Sequence, residues 1–486
     1  MAAETGAERR NSGQSTPRVT VHLSTAFKAA YGTGQCVESL ANVLLNTFLF
    51  FYLTNVCGLS GTLAGLALFL ALSIDAVADP LIGSFSDGLS SRFGRRLPVM
   101  GASLAPTALA MGLLFSVPRW QPGFMLFIYV LCILVALRVS LSGFIIPYMS
   151  LGAELSDDYD ERSSVVAFRV IFGIAITLVG YVLGFHVFLG GAKGVMDRAG
   201  YGPLGFTCGA ILFCTGALAV VTTRAACTQD GGRASTQIWK RFFSELAEVF
   251  CNPSFRLLFF GVLAFFVGQG VWLTLGLHAN TYFWRLSAAQ IQMLSFATVA
   301  GLIAGLPLAF FLIGRAEKRT LVLGCVAAMC LAEALPVLLA RIHMLAAQGD
   351  RTRLMLLAAS AVIGAATTLA TIAFQSAMAD AVDEHEVRFA ARREGLYFAS
   401  LSFASKAAIG LGSLVSGALL QLIAFPSQAI AAGRHVPISH HILDALGMIY
   451  GPIAALITAA SIVAFSRYRL DRAHHAEFQR KLGRNA

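Results

Sequence analysis

The chain has 486 residues, of which 57% are hydrophobic and only 13% are charged, and its formal net charge is +10. Soluble globular proteins carry about a quarter charged residues, so this composition excludes a water-soluble enzyme or binding domain and indicates a polytopic membrane protein. The positive charges follow alternate apolar runs instead of forming one basic surface, which is typical of cytoplasmic loops in membrane proteins and argues against nucleic-acid binding.

Twelve apolar runs are long enough to span a bilayer, at about 20 residues per crossing. A polar linker at 224–252 divides them into halves at 21–223 and 253–466, and polar tails lie at 1–20 and 467–486. We predict an all-α membrane protein in the plasma (inner) membrane, with both termini cytoplasmic and an amphipathic helix in the linker. The predicted spans are 28–55, 60–85, 97–117, 123–149, 163–190, 203–223, 255–282, 288–313, 319–340, 353–380, 394–424 and 442–466.

The second span carries two acids, Asp75 and Asp79, which a helix places on one face. Two carboxylates in a hydrocarbon layer need a cation, a shared proton or a buried basic side chain to compensate them. Pro80 has no N–H for the carbonyl of Ala76, which predicts an interruption with a carbonyl oxygen beside the acids. Small cations prefer such oxygen ligands, so the pattern predicts a cation site. The alternative is a structural ion pair with a basic residue on another helix.

Several stretches resemble the glycoside–pentoside–hexuronide:cation symporters of the major facilitator superfamily, whose best-known member is the melibiose permease. The matches run in order along almost the whole chain. The resemblance implies two six-helix halves around a central cavity, and secondary active transport by alternating access. The matching stretches are Tyr31-Gly32-Thr33-Gly34, 50–55, Asp75-Ala76-Val77-Ala78-Asp79-Pro80-Leu81-Ile82-Gly83, 86–96, Ile146-Pro147-Tyr148, Glu161-Arg162, Arg169, 379–383 and 393–406.

By this resemblance Asp75 and Asp79, with Ser142, bind the coupling cation, and Lys406 matches a buried lysine that faces the same region from the other half. The geometry agrees independently. At 1.5 Å per residue, Asp75 lies ~23 Å along a helix entering from outside and Lys406 ~18 Å along one entering from the cytoplasm. The resemblance also implies a role in substrate binding or coupling for Tyr148 and for Arg169, which matches an arginine near the substrate cavity.

The chain departs from the melibiose permease at its sugar-binding positions. Where the permease has acids in the first and fourth spans, this chain has Ser39, preceded by Glu38, and Ile145; Thr371 replaces a tryptophan. Because isoleucine cannot accept hydrogen bonds from sugar hydroxyls, galactoside recognition of that kind is not expected. Glu38 either substitutes for one of the acids or sits at the wetted end of its span.

A further departure is Arg138, ~22 Å along the fourth span and so near the depth of Asp75. A guanidinium there would hold one carboxylate ionised and disfavour sodium, leaving one carboxylate for a proton or making the protein a facilitator. Alternatively Arg138 points into the cavity and pairs with an anionic substrate. With Arg169 it suits an acidic solute such as a hexuronide. It also suits a zwitterionic headgroup, as in the sodium-dependent lysophosphatidylcholine symporter of the same wider family.

Charged residues at the predicted cytoplasmic helix ends resemble the loops that latch one state of the superfamily's transport cycle. The alternative is a solvated charged face that contributes little. The predicted gate residues are Asp87, Arg92, Arg95, Arg96, Arg162, Asp380, Asp383 and Arg392.

The connecting segments contain no nucleophile–base set, metal-ligand spacing or phosphate-binding loop, so we predict a transporter and not an enzyme. We expect cation-coupled symport, driven by sodium or protons, of a sugar, glycoside or hexuronide. The alternative solute is a lysophospholipid or another amphipathic or zwitterionic molecule. The expected partners are the solute, the coupling cation and the lipid bilayer, and we expect a monomer without a metal site or an organic cofactor.

Overall fold

The structure is a computed structural model, and it describes residues 23–89, 91, 93–119, 123–155, 158–224, 248–313, 315–346, 349–389, 393–434, 437–468 and 480. The regular elements of these residues are helices. Eleven of them are long and apolar enough to cross a membrane, and the first crossing, α1, adds a twelfth in shorter consecutive pieces. The predicted linker helix lies almost entirely outside the described residues.

The N-terminal half contains α1 to α6. In α1 (25–56), the α-helices Thr25–Gly32 and Gln35–Val43 lead into the π-helical turns Leu44–Leu49 and Tyr52–Val56. The helix α5 likewise ends in a π-helical turn, Leu183–Phe188. The other helices of this half are α2 (Gly61–Gly88), α3 (Leu97–Phe115), α4 (Phe124–Glu154), α5 (Tyr159–Val182 with its π turn) and α6 (Arg198–Thr223).

The C-terminal half repeats this arrangement with α7 to α12. Two of its helices also contain π-helical turns, at Ala279–Phe283 in α7 and at Ile449–Ile453 in α12. The helices are α7 (Pro253–His278 with its π turn), α8 (Ala288–Ile313), α9 (Lys318–Arg341), α10 (Asp350–Phe389), α11 (Glu394–Leu422) and α12 (His440–Met448 and Ala454–Ser466, joined by the π turn).

The predicted interruption at Pro80 is wrong, because α2 continues through it, and α4 likewise continues through Pro147. A proline removes one backbone hydrogen bond, and the remaining hydrogen bonds keep both segments helical, at Pro80, which is exposed, as well as at Pro147, which is buried. The break lies instead in α1, at Thr33–Gly34, where a side chain on Gly34 would overlap the ring of Tyr148. The tenth span also extends past its predicted end at 380, because polar residues continue the helix to its end at Phe389.

We call the side where α1 begins and α12 ends the terminal face, and the opposite side the distal face. The two halves meet near the distal face through α2 and α11. A Cβ on Gly61 would lie 2.6 Å from the Gly417 carbonyl oxygen, so only glycine permits this approach of the two backbones. Thr54 Oγ1 in α1 and His278 Nε2 in α7 add a hydrogen bond of 3.0 Å between the halves. The distal side of the molecule is therefore closed.

Candidate cation and substrate site

Helices from both halves converge at the acid pair. The Lys406 ammonium on α11 donates to Asp75 Oδ2 at 2.9 Å and also to Asp79 Oδ2. Ser142 on α4 donates from its hydroxyl to Asp75 Oδ1 at 2.7 Å. The side chain of Asp75 is only 4% exposed, whereas that of Asp79 is 17% and that of Lys406 28% exposed. The arrangement places an internal cation, the Lys406 ammonium, between the two carboxylates.

One oxygen of the pair has a different environment. Asp79 Oδ1 is buried and has no hydrogen-bond partner among the described residues. A buried carboxylate oxygen without a donor costs free energy that an incoming cation or proton would recover. The pair can therefore accept a further ligand beside Lys406 or in its place.

Arg138 lies inside the protein and not toward lipid. Its residue surface is 7% exposed, and its charge interacts with Asp75, Glu38 and Asp79. Its Nε atom has no hydrogen-bond partner in the part of the chain that the structure describes. The guanidinium is thus held by charge near the acids, with a donor left for another ligand.

Glu38 and Arg169 are linked through Gln35. The Gln35 amide donates to Glu38 Oε2 at 2.9 Å, and Arg169 Nη2 donates to Gln35 Oε1 at 3.1 Å. The Arg169 side chain also contacts the Met149 sulfur. Glu38 lies near the middle of α1, not at a wetted end. It is therefore part of a polar chain that runs from α1 to α5.

The charges of this region balance. Counted in their usual ionised forms, three carboxylates and three basic side chains give a formal net charge of zero before any coupling ion or solute enters. We call these six residues the charged cluster: Asp75, Asp79, Glu38, Lys406, Arg138 and Arg169.

Three predicted substrate residues have other contacts. Tyr148 is fully buried, donates its hydroxyl to the Tyr31 carbonyl at 2.9 Å, and accepts the Tyr31 hydroxyl on its own carbonyl at 2.6 Å. Its ring lies 5.2 Å from the Arg169 guanidinium. Ile145 belongs to the apolar core, and the Thr371 hydroxyl donates to a carbonyl of its own helix at 2.8 Å. Tyr148 therefore ties α1 to α4 and touches the charged cluster only through its ring.

The predicted gate residues of the N-terminal half form ion pairs at the terminal face. Arg96 pairs with Asp87 at 3.2 Å and with Glu154 at 2.9 Å, and Arg95 also pairs with Glu154. These pairs join helices of one half.

The C-terminal half has a matching pair at the same face, in which the Lys318 ammonium lies 2.7 Å from Asp380 Oδ2. This pair also stays within one half. Arg162 is exposed and Asp383 buried at this face, whereas Arg92 and Arg392 lie outside the described residues.

Sequence reasoning did not single out Glu333, a buried acid on α9 that accepts a hydrogen bond from the Gln269 amide of α7. A signal was present, because Glu333 is the one acidic residue of the predicted span 319–340. The same rule that identified the acid pair, that an ionisable residue inside a span has a function, applies to it.

The known proteins that this chain resembles in sequence are membrane transporters. A family model described as MFS/sugar transport protein matches residues 30–472. The uncharacterized symporter YnaJ of Bacillus subtilis is 26% identical over 95% of both chains. An uncharacterized symporter of Synechocystis is 33% identical over 38% of this chain and 34% of its own length. The sodium-dependent lysophosphatidylcholine symporter 1 of Gallus gallus is 30% identical over 32% of this chain and 30% of its own length.

Solved structures show the same fold. The crystal structure of the nucleoside transporter NupG matches with a TM-score of 0.64 at 14% identity, over 91% of this chain and 98% of that one. A bacterial homolog of the human lysosomal transporter Spinster matches with a TM-score of 0.59 at 14% identity, over 94% of this chain and 96% of that one. At this identity the likeness concerns the arrangement of helices alone.

Proposed function

Because the chain belongs to the MFS/sugar transport protein family, we propose that this multi-pass membrane transporter couples sodium or proton movement to the symport of an organic anion, with a hexuronide as the favoured class. The observation that carries the proposal is the neutrality of the charged cluster. A cation that enters a neutral buried site leaves an uncompensated positive charge, which is costly inside a membrane. A solute anion that enters with it restores neutrality.

The acid pair supplies the coupling step. In the present conformation Lys406 occupies the place between Asp75 and Asp79 that a coupling cation would take. A sodium ion or proton that binds the carboxylates weakens their hold on the ammonium. The released Lys406 and the adjacent Arg138 then offer two positive groups to a carboxylate of the solute.

The same step links binding to movement of the halves. Lys406 belongs to α11 in the C-terminal half and the acids to α2 in the N-terminal half, so this salt bridge is a contact between the halves. Releasing it removes one of the interactions that hold the present closed-distal conformation. Rigid movement of one half against the other about such a site is the general mechanism of transporters built from two repeats.

Orientation follows from charge. Basic residues crowd the terminal face, including Arg95, Arg96, Lys318 and Arg319. Positive loops remain on the cytoplasmic side of a membrane, so we assign the terminal face to the cytoplasm and the chain to the plasma (inner) membrane. With the distal side closed, the conformation described here is then closed toward the outside.

A second candidate solute is an amphipathic zwitterion. The 30% identity with the lysophosphatidylcholine symporter over 160 residues favours it, and so does the apolar Ile145 at a position where a sugar-binding acid would otherwise stand. A zwitterion would still place an anionic group against Arg138, but it would leave the charge of the coupling cation uncompensated.

The charge moved in each cycle separates the two solutes. We would reconstitute the purified protein into liposomes on a solid-supported membrane and apply solutes in sodium and at controlled pH. With the same number of coupling cations, uptake of a monovalent hexuronide moves one positive charge fewer per solute than uptake of a neutral or zwitterionic solute. Labelled hexuronide should therefore enter with a correspondingly smaller current, and with no current where a single cation is coupled. A current accompanying a neutral sugar or a lysophospholipid, with no uptake of the hexuronide, would overturn the proposed solute class.

The double variant Asp75→Asn with Asp79→Asn is the control for coupling. It keeps the size of both side chains and removes both charges, so uptake driven by a cation gradient should be lost while the protein remains folded. Gradient-driven uptake by the double variant would refute the assignment of the acid pair.

A further inference from the structure

A second buried acid, Glu333 on α9, lies outside the charged cluster. Its residue surface is 3% exposed, and Glu333 Oε1 accepts a hydrogen bond from the Gln269 amide of α7 at 2.9 Å. The other oxygen, Oε2, is buried without a hydrogen-bond partner among the described residues. The protein therefore supplies a hydrogen-bond donor for Oε1, while Oε2 is left to a proton or a ligand outside the described residues.

Glu333 lines a cavity of about 120 Å³ whose walls come from both halves of the molecule. Asn46 and Thr47 of α1 and Tyr181 of α5 contribute the N-terminal side, and the remaining lining comes from the C-terminal half. The indole Nε1 of Trp284, another lining residue, is also buried without a partner in the described chain. No residue of the charged cluster lines this cavity, so it is a separate site.

Irregular helix geometry surrounds the cavity. Asn46 and Thr47 lie in a π-helical turn of α1, Asn280 in that of α7 and Tyr450 in that of α12. Such turns widen a helix by one residue and frequently occur at functional sites. The lining is therefore built from places where three helices depart from regular hydrogen bonding.

No basic side chain among the described residues that line the cavity compensates the charge of an ionised Glu333. Among the described lining residues none is Lys, Arg or His. The titratable groups near Glu333 are Tyr450 on α12, Cys330 on its own helix and, across the cavity, Tyr181 on α5, and all three are ordinarily uncharged at neutral pH. A lone ionised carboxylate in the membrane interior is costly, and a bound proton removes that cost without a second ligand group.

We propose that Glu333 is a second proton-binding site, which carries a proton in this conformation and exchanges it when the two halves move. The cavity is large enough for several water molecules, which would solvate a carboxylic acid group and the Trp284 N–H. Because α1 and α5 form one wall, movement of the N-terminal half opens or closes the path to solvent. This exchange step rests on the proposed function, whereas the protonation itself does not.

Infrared spectroscopy of the full-length protein in lipid nanodiscs tests the protonation without any transport. A protonated carboxylic acid has a carbonyl stretching band distinct from that of a carboxylate. We expect the wild-type protein to show this band at neutral pH and Glu333→Gln to lose it. Asp75→Asn should retain it, and Gln269→Leu, which removes the hydrogen-bond donor but keeps the acid, should shift it. Absence of the band, or its persistence in Glu333→Gln, would overturn the protonation.

Proton counting tests the exchange. In liposomes with an internal pH dye, the number of protons taken up per solute should fall by one in Glu333→Gln relative to the wild type. An unchanged ratio would overturn the exchange while leaving the infrared result standing. If no variant and no wild-type sample takes up solute, the proposed function fails, and the infrared band still decides whether Glu333 is protonated.

Discussion

Replacing Lys406 with methionine isolates the internal cation of the acid pair. Lys406 Nζ lies 2.9 Å from Asp75 Oδ2 and also bonds Asp79, so the change leaves two buried carboxylates without their shared ammonium. Removing one partner of a buried ion pair costs about 3–5 kcal/mol. Because the Lys406 side chain is 28% exposed, we expect the lower end, about 3 kcal/mol. A coupling cation would recover this free energy, so its affinity should rise roughly a hundredfold, at 1.4 kcal/mol for each factor of ten.

The assay is thermal unfolding of the purified protein in sodium, lithium or choline chloride at several pH values. A ligand that binds only the folded state raises the unfolding temperature. We expect Lys406→Met to unfold at a lower temperature than the wild type in choline. It should then reach half of its maximal stabilisation at a roughly hundredfold lower sodium concentration. If the proton is the coupling ion, the displacement appears along the pH axis instead.

Lys406→Arg, which keeps the positive charge, is the matched control and should resemble the wild type. Solute uptake should be lost in Lys406→Met, because the carboxylates no longer release their cation. The reasoning is refuted if Lys406→Met has the same sodium and pH dependence of unfolding as the wild type, since Lys406 would then not compete for the cation site.

Three further substitutions test the assignments around this site. Arg138→Met leaves an excess negative charge in the charged cluster, so calorimetry should show at least ~10-fold weaker binding of a hexuronide together with tighter binding of the coupling cation; unchanged anion binding would contradict its role. Tyr148→Phe removes one neutral hydrogen bond worth about 1 kcal/mol, so the unfolding temperature should drop while solute affinity stays, and a lost affinity would restore Tyr148 to the substrate site. Gly61→Val adds a side chain whose Cβ meets a backbone oxygen of α11 at 2.6 Å, so the distal ends should separate. The buried Cys57 should then react faster with an impermeant maleimide; an unchanged rate would show that the distal closure tolerates the extra atoms.

Much of the fold was predictable from the sequence. The lengths of the apolar runs and the positions of the basic residues predicted the spans and the division into halves. This was possible because a bilayer requires long apolar helices, and each such helix is a continuous stretch of the sequence. The four-residue spacing of Asp75 and Asp79 likewise predicted a shared helix face. The predicted interruption at Pro80 was wrong, because the loss of one backbone hydrogen bond does not by itself end a helix that keeps its other hydrogen bonds.

The partners of each buried charge were decided by the tertiary structure. Lys406 and Asp75 are 331 residues apart, and they meet because glycine contacts such as Gly61 against Gly417 bring α2 and α11 into backbone contact. Packing among the other helices places Arg138 inside the protein, buries Tyr148 between α1 and α4, and gives the Glu333 cavity a described lining without Lys, Arg or His. Sequence position specifies how deep a charged side chain lies along its own helix, but the cost of its charge depends on groups that other helices supply, and only the folded chain sets those distances.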